Sequence, residues 1–171
     1  ALVRTSSAID NQKIWAGLKL TNDQLPQTDA DQAYFYFATD GTNGQAIDDF
    51  TPLYFIHSNT GTDYLTNLGI TVAADTNYHL KISIDSDRKP SVFVNGRQYS
   101  VTTSAITAFD GTTSVTGTTQ ATIAANYSAT NANTQKGAAL KDNTDLIPCI
   151  GIEAGDGAAA ALNVSYMTIS R

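Results

Sequence analysis

Few residues in this chain are of the types that carry chemistry, and their spacing sorts them quickly. Of its sixteen acidic residues only one, Glu153, is a glutamate, and it sits in the segment Ile152-Glu153-Ala154-Gly155-Asp156-Gly157. Hydrolysis of a glycoside needs two carboxyl groups across the scissile bond, ~5–5.5 Å apart for retention or ~6.5–9.5 Å for inversion. Glu153 and Asp156 are three positions apart, so on a strand they leave opposite faces, and the flanking glycines make Asp156 a turn residue. The pairs Asp29/Asp31, Asp48/Asp49 and Asp85/Asp87 offer oxygens of the kind Ca²⁺ takes. None has the spacing of an EF-hand loop, and aspartate is common in turns for conformational reasons alone. His57 and His79 fall on separate strand-like segments with no cysteine or second histidine nearby. Cys149 is the sole cysteine, which excludes an intrachain disulfide, and its apolar surroundings over 146–152 read as a small buried hydrophobe. No G-x-S-x-G, P-loop or G-x-G-x-x-G is present. The sequence therefore assigns no catalytic, cofactor-binding or metal-ligating residue, and Ca²⁺ binding is without support.

Aromatic side chains offer a different chemistry, because flat apolar rings with polar handles suit the faces of saccharides. Trp15, Tyr34, Tyr36, Tyr54 and Tyr64 are of the right type. All but Tyr64 lie inside strand-like segments, where packing between sheets explains them equally well. Trp15, Tyr54 and Tyr64 stand as the candidate glycan-binding residues.

The elements that must position these side chains are strands. Residues 13–21 alternate Ile14, Ala16, Leu18 and Leu20 against Trp15, Gly17, Lys19 and Thr21. The run Tyr34-Phe35-Tyr36-Phe37 within 32–39 predicts a strand covered on both faces. In 52–58, Leu53, Phe55 and His57 oppose Tyr54 and Ile56, and a further strand follows at 68–73. The cleanest alternation is 78–85, where Tyr78, Leu80, Ile82 and Ile84 oppose His79, Lys81, Ser83 and Asp85 and predict a sheet with one wet face. A hairpin loop at 85–90 leads to a strand at 91–94, the turn Asn95-Gly96 and a strand at 97–102. The last strands are 146–153 and 161–170, the latter alternating Leu162, Val164 and Tyr166 against Asn163, Ser165 and Met167. No apolar helical period persists over a helix-length window.

Composition agrees. Thr, Ser, Asn and Gly supply 60 of the 171 residues, a bias toward strands and turns and away from helices. The length suits one domain, 1–171, read as an antiparallel β-sandwich. Residues 103–145, rich in Thr, Ala, Ser and Asn with only Phe109 and Tyr127 as aromatics, read as an insertion or long loop against it. Charged residues are only 15% and the formal net charge is −6, which argues against nucleic-acid binding. No apolar stretch approaches the ~20 residues of a membrane span, and the opening ALVRTSSAID lacks the order of a signal peptide.

Three blocks carry a resemblance: IWAGLKLT (14–21), DTNYHLKISIDSDRKPSVFVNG (75–96) and LIPCIGIEAGDGAAAALNVSYMTISR (146–171). The middle block resembles the paired strands of concanavalin A-like (lectin/glucanase-type) jelly rolls. Together with the third block, in which Gly-Ile-Glu-Ala-Gly-Asp-Gly feeds a last strand, it is similar to such domains in virion proteins of tailed bacteriophages. The resemblance covers roughly a third of the chain and carries over no catalytic residue. It implies a non-enzymatic structural protein of the particle surface, a capsid decoration or head-fibre protein. The implied partners are the major capsid protein, other virion proteins or further copies of the same chain. The alternative it leaves open is a carbohydrate-binding module for attachment to host or environmental glycans, including a tail-fibre module.

Overall fold

The structure, a computed structural model, describes residues 1–10, 12–21, 29–39, 52–105, 121–122, 134–154 and 161–170. Among these residues there is no helix. Eleven strands follow in chain order: β1 (Leu2–Thr5), β2 (Gln12–Lys19), β3 (Gln32–Ala38), β4 (Pro52–Asn59), β5 (Thr62–Thr71), β6 (Asn77–Ile84), β7 (Pro90–Val94), β8 (Arg97–Tyr99), β9 (Ala121–Thr122), β10 (Ile147–Ala154) and β11 (Leu162–Tyr166). They form two sheets, one in the order β11-β1-β6-β7-β8 and the other β10-β2-β3-β4-β5-β9. All pairings are antiparallel except the two-residue β9, which runs parallel to β5. The architecture is the β-sandwich that the strand pattern predicts.

The period-2 alternation decides what fills the space between the sheets. From the larger sheet come Ile14, Ala16, Phe35, Phe37, Leu53, Phe55 and Leu68, and from the smaller come Val3, Tyr78, Leu80, Val92 and Val94. Each fully buried side chain of this size contributes roughly 1.5–3 kcal/mol through removal of apolar surface from water. Phe35 and Phe55 meet edge to face across β3 and β4, with ring centroids 5.6 Å apart. On β6 the odd residues His79, Lys81 and Ser83 are exposed while Tyr78 and Leu80 are buried, so this sheet has the wet outer face expected of it.

Two tight hairpins set the register. Asn95-Gly96 joins β7 to β8 with φ of +51° and +78°, the mirror-image turn that matches strand twist. Asn95 also caps the neighbouring strand, accepting the His79 N–H on Oδ1 at 2.8 Å. Thr60-Gly61 joins β4 to β5 with nearly the same dihedrals, 52° and 76°.

Three features depart from the sequence pattern. Leu2–Thr5 forms β1, which lies between β6 and β11. The fifth strand begins at Thr62, well before 68, and folds straight back along β4 from the turn. In β11 the register shifts opposite Leu2/Val3: Val164 faces Val3, Tyr166 faces Leu2, and Ser165 falls in the irregularity. Tyr166 is thereby turned away from the side shared by Leu162 and Val164. Its ring meets that of His79 on the outer face, centroids 6.1 Å apart.

Of the stretch 103–145, most of 106–133 lies outside the described residues. Its final part, 134–141, runs as a strap across one end of the sandwich. Gly137 N donates to Pro90 O and Leu140 N to Arg88 O, both at 2.9 Å, while Asn59 Nδ2 donates to Ala139 O at 2.8 Å. Leu140 is inserted into the core between the sheets.

Candidate functional site

The sequence candidates concentrate on the outer face of the larger sheet, and two glycines explain how they fit there. Register aligns Gly151, Trp15, Tyr36, Tyr54 and Asn67 in one row across β10, β2, β3, β4 and β5. The adjacent row is Cys149, Gly17, Tyr34, Ile56 and Leu65. A Cβ at Gly17 would lie 2.6 Å from Cβ of Tyr34, and one at Gly151 would lie 2.2 Å from the Trp15 indole. Gly151 therefore vacates the volume that the Trp15 ring takes, and Gly17 lets β2 lie close against the β3 backbone, where a Cβ would meet Ala33 O at 2.4 Å and Tyr34 Cα at 2.5 Å. Tyr34 and Tyr36 pack edge to face at 6.1 Å and 89°.

Charged pairs flank this aromatic face. At one end Lys19 Nζ lies 3.7 Å from Asp29 Oδ2, with both side chains almost wholly removed from water. Asp29 also accepts the N–H and the hydroxyl of Thr21 at 2.9 and 2.8 Å, which satisfies both carboxylate oxygens. In the same row Gln32 Nε2 donates to Ser58 Oγ at 3.0 Å, and Ser58 Oγ donates to Asp63 Oδ1 at 2.6 Å. Burial pushes the Asp63 carboxyl above its ordinary value, and the Ser58 hydrogen bond offsets part of that rise. At the other end Lys13 Nζ meets Glu153 Oε2 at 3.3 Å. The Tyr34 hydroxyl is buried with no hydrogen-bond partner among the described residues. Burial raises its pKa, and the nearby Tyr36 and Asp63 raise it further.

The three glycan candidates do not come together. Trp15 and Tyr54 share the outer face and the same row, but their exposures are 7% and 1%, so their ring faces are engaged in packing. Tyr64 points to the opposite side of the sheet, where it stacks on His57 with centroids 4.6 Å apart and planes 13° apart. His57 stacks in turn on Phe55 at 5.7 Å. Among the described residues neither of its ring nitrogens has a hydrogen-bond partner, and burial lowers its pKa from 6.5 to about 3. Burial likewise raises the Cys149 thiol, half covered beside Gly17.

The paired aspartates serve the backbone and lysines. Asp31 accepts Thr60 N at 2.8 Å and lies 3.8 Å from Lys141 Nζ. Asp85 accepts Lys89 N at 2.9 Å and binds Lys136 Nζ at 2.7 Å, and these bonds hold its carboxyl below the ordinary value. Asp48, Asp49 and Asp156 lie outside the described residues. Among the described residues no group of three or more His, Cys, Asp or Glu side chains could hold a metal ion, and no helix is long and apolar enough to cross a membrane. The buried cations Lys13 and Lys19 are the features the strand pattern did not reveal. Their partners lie on segments that only the folded sheet brings alongside β2.

Comparison with protein-family models, with curated proteins and with solved structures finds no match for this chain.

Proposed function

We propose that the chain is a non-enzymatic structural protein of a bacteriophage particle, a concanavalin-like jelly roll displayed on the capsid surface as a decoration or head-fibre protein. The observation that carries this reading is the role of the only glutamate. Glu153 is opposite Lys13 in the β10–β2 register, and its carboxylate binds the Lys13 ammonium at 3.3 Å. The next residue along the row is Ala38. The carboxylate that a sandwich hydrolase would direct at a sugar is here a cross-strand tie, with no acid beside it in its row among the described residues. The packed faces of Trp15 and Tyr54 favour a structural role over glycan attachment in the same way. The resemblance of the three sequence blocks to virion domains supplies the setting, and the partners are the major capsid protein or neighbouring copies.

Quantitative mass spectrometry of purified particles tests the reading. A fixed copy number relative to the major capsid protein is expected. Absence from the particles sinks it. Saturable binding of the isolated protein to a glycan array, lost in Tyr64→Ala, would instead favour an attachment module.

A further inference from the structure

His57, wholly buried near the end of β4, is walled in by both strands and strap. The rings of Phe55 and Tyr64 stack on it, and Ala33 of β3 lies opposite it in the ladder. The strap 134–141 lies directly against the ring: a Cβ at Gly137 would stand 3.0 Å from Cε1 and Nε2 of the imidazole and 2.8 Å from Cγ of Pro90. These walls differ in strength. β4 is laddered to β3 on one side and to β5 on the other. The strap is joined to the sandwich by scattered single bonds. Gln135 O accepts Val101 N, Gly137 N donates to Pro90 O and Leu140 N to Arg88 O, each at 2.9 Å, and Asn59 Nδ2 donates to Ala139 O at 2.8 Å. Gly137 and Leu140 are its buried residues, while Gln135, Lys136 and Lys141 are exposed. Few buried contacts and single backbone bonds mark the part of a fold that opens first.

We propose that the strap is an acid-released cover: a proton taken up by His57 opens residues 134–141 as a unit and bares Leu140 with the apolar end of the sandwich, while both sheets stay paired. An imidazolium carries two N–H donors, and a buried charge must be paired or reach water. The surroundings of His57 supply no anion for it. Tyr64, stacked against it from β5, is a phenol and not a carboxylate. Asp63 on the same strand is bound to Ser58. β3 and β7 carry no charged residue over 32–38 and 90–94. On the strap Lys136 and Lys141 are cations, which disfavour another, and their partners Asp85 and Asp31 lie 2.7 and 3.8 Å from them. Moving the strap is therefore the short route by which the charged ring meets water. Burial holds His57 at about 3 while the cover is shut, against 6.5 for a solvated imidazole, so opening is favoured about tenfold more for each pH unit below 6.5.

Amide hydrogen exchange at pH 6.5 and 4.5, each rate divided by its intrinsic value at that pH, tests this. The opening constants at Gly137 and Leu140 should rise roughly 50-fold between the two pH values. At both they should exceed those of Phe35 and Phe55 in the central strands by about tenfold or more. His57→Phe keeps a ring in the stack and removes the proton site, so it should abolish the rise. Asp85→Asn and Asp31→Asn weaken the ion pairs of the strap and should leave the rise in place. Gly137→Ala should loosen the strap already at pH 6.5, because its Cβ meets Pro90 and His57. Equal opening constants in the strap and in β3 and β4 would mean that the strap opens only with the whole fold, and would overturn the proposal. Strap opening that does not change with pH overturns it too, and neither reading needs a variant. A rise that survives in His57→Phe, or is lost in Asp85→Asn or Asp31→Asn, overturns it by assigning the acid response to another group.

Discussion

The Trp15 indole and the backbone of Gly151 leave no space for a methyl group between them: a Cβ at 151 would lie 2.2 Å from Cε2 and Cζ2 of the ring. The close approach locks the edge strand β10 onto β2. Gly151→Ala is expected to cost roughly 1–3 kcal/mol, the usual range for overpacking, read as a lower urea midpoint. Trp15→Leu in the same chain should relieve part of that cost. Strictly additive losses would show that ring and glycine do not act as a unit.

Stability should fall in mild acid because of His57. The unfolded chain binds a proton at this residue near its ordinary pKa of 6.5, whereas burial holds the folded value at about 3. Below 6.5 the unfolded state therefore binds more protons. The contribution is complete above that pH and is lost progressively toward 3, by up to ~1.4 kcal/mol per pH unit. Between pH 6.5 and 5 the chain should lose about 2 kcal/mol. His57→Phe and His57→Gln should both flatten that slope in denaturant titrations at the two pH values. An unchanged slope in both variants would place the acid sensitivity elsewhere.

Asp29 neutralises a lysine that has no access to water. Asp29→Ala is expected to cost about 3–5 kcal/mol, because it breaks a charge pair in which both side chains are almost wholly withdrawn from water. Lys19→Met combined with Asp29→Ala should cost less than Asp29→Ala alone. A double variant as unstable as the sum of the single ones would refute coupling between the two side chains.

Thr60 is a β-branched residue held at φ +52°, where such a side chain is strained. Its N–H is the group that binds Asp31, and replacing the side chain with that of asparagine would keep this backbone bond. Thr60→Asn creates an Asn-Gly turn like the one at 95–96 and should stabilise by about 1 kcal/mol. A lower midpoint for this variant would contradict the turn assignment.

The sequence was most readable where one strand face is apolar and the other polar. Residues 78–84 declare both their strand and their wet face, because an exchanged register would put Lys81 in the core. Trp15, Tyr36 and Tyr54 were legible as strand residues but not as a packed outer face. The seating of Trp15 depends on Gly151 making room on a strand that meets β2 only after folding. β1 escaped notice because four residues with Arg4 among them give too short an alternation. The reversal at Tyr166 was hidden for another reason: a bulge leaves no mark in a run such as Asn163-Val164-Ser165-Tyr166. The ionic ties Lys13–Glu153 and Lys19–Asp29 depend on long-range pairing, which local periodicity does not encode.

The pairing of β1 with β11, and of β2 with β10, has a kinetic consequence. Each sheet receives its outer strand from residues 147–166, so neither edge can close until those residues have been synthesised. Until residues 147–166 emerge, β2 offers a free edge beside Trp15. Such non-local closure belongs to the slow class of two-state folders, on the scale of milliseconds to seconds. Chains cut short before Ile147 should then leave both sheets open and prone to edge-to-edge association.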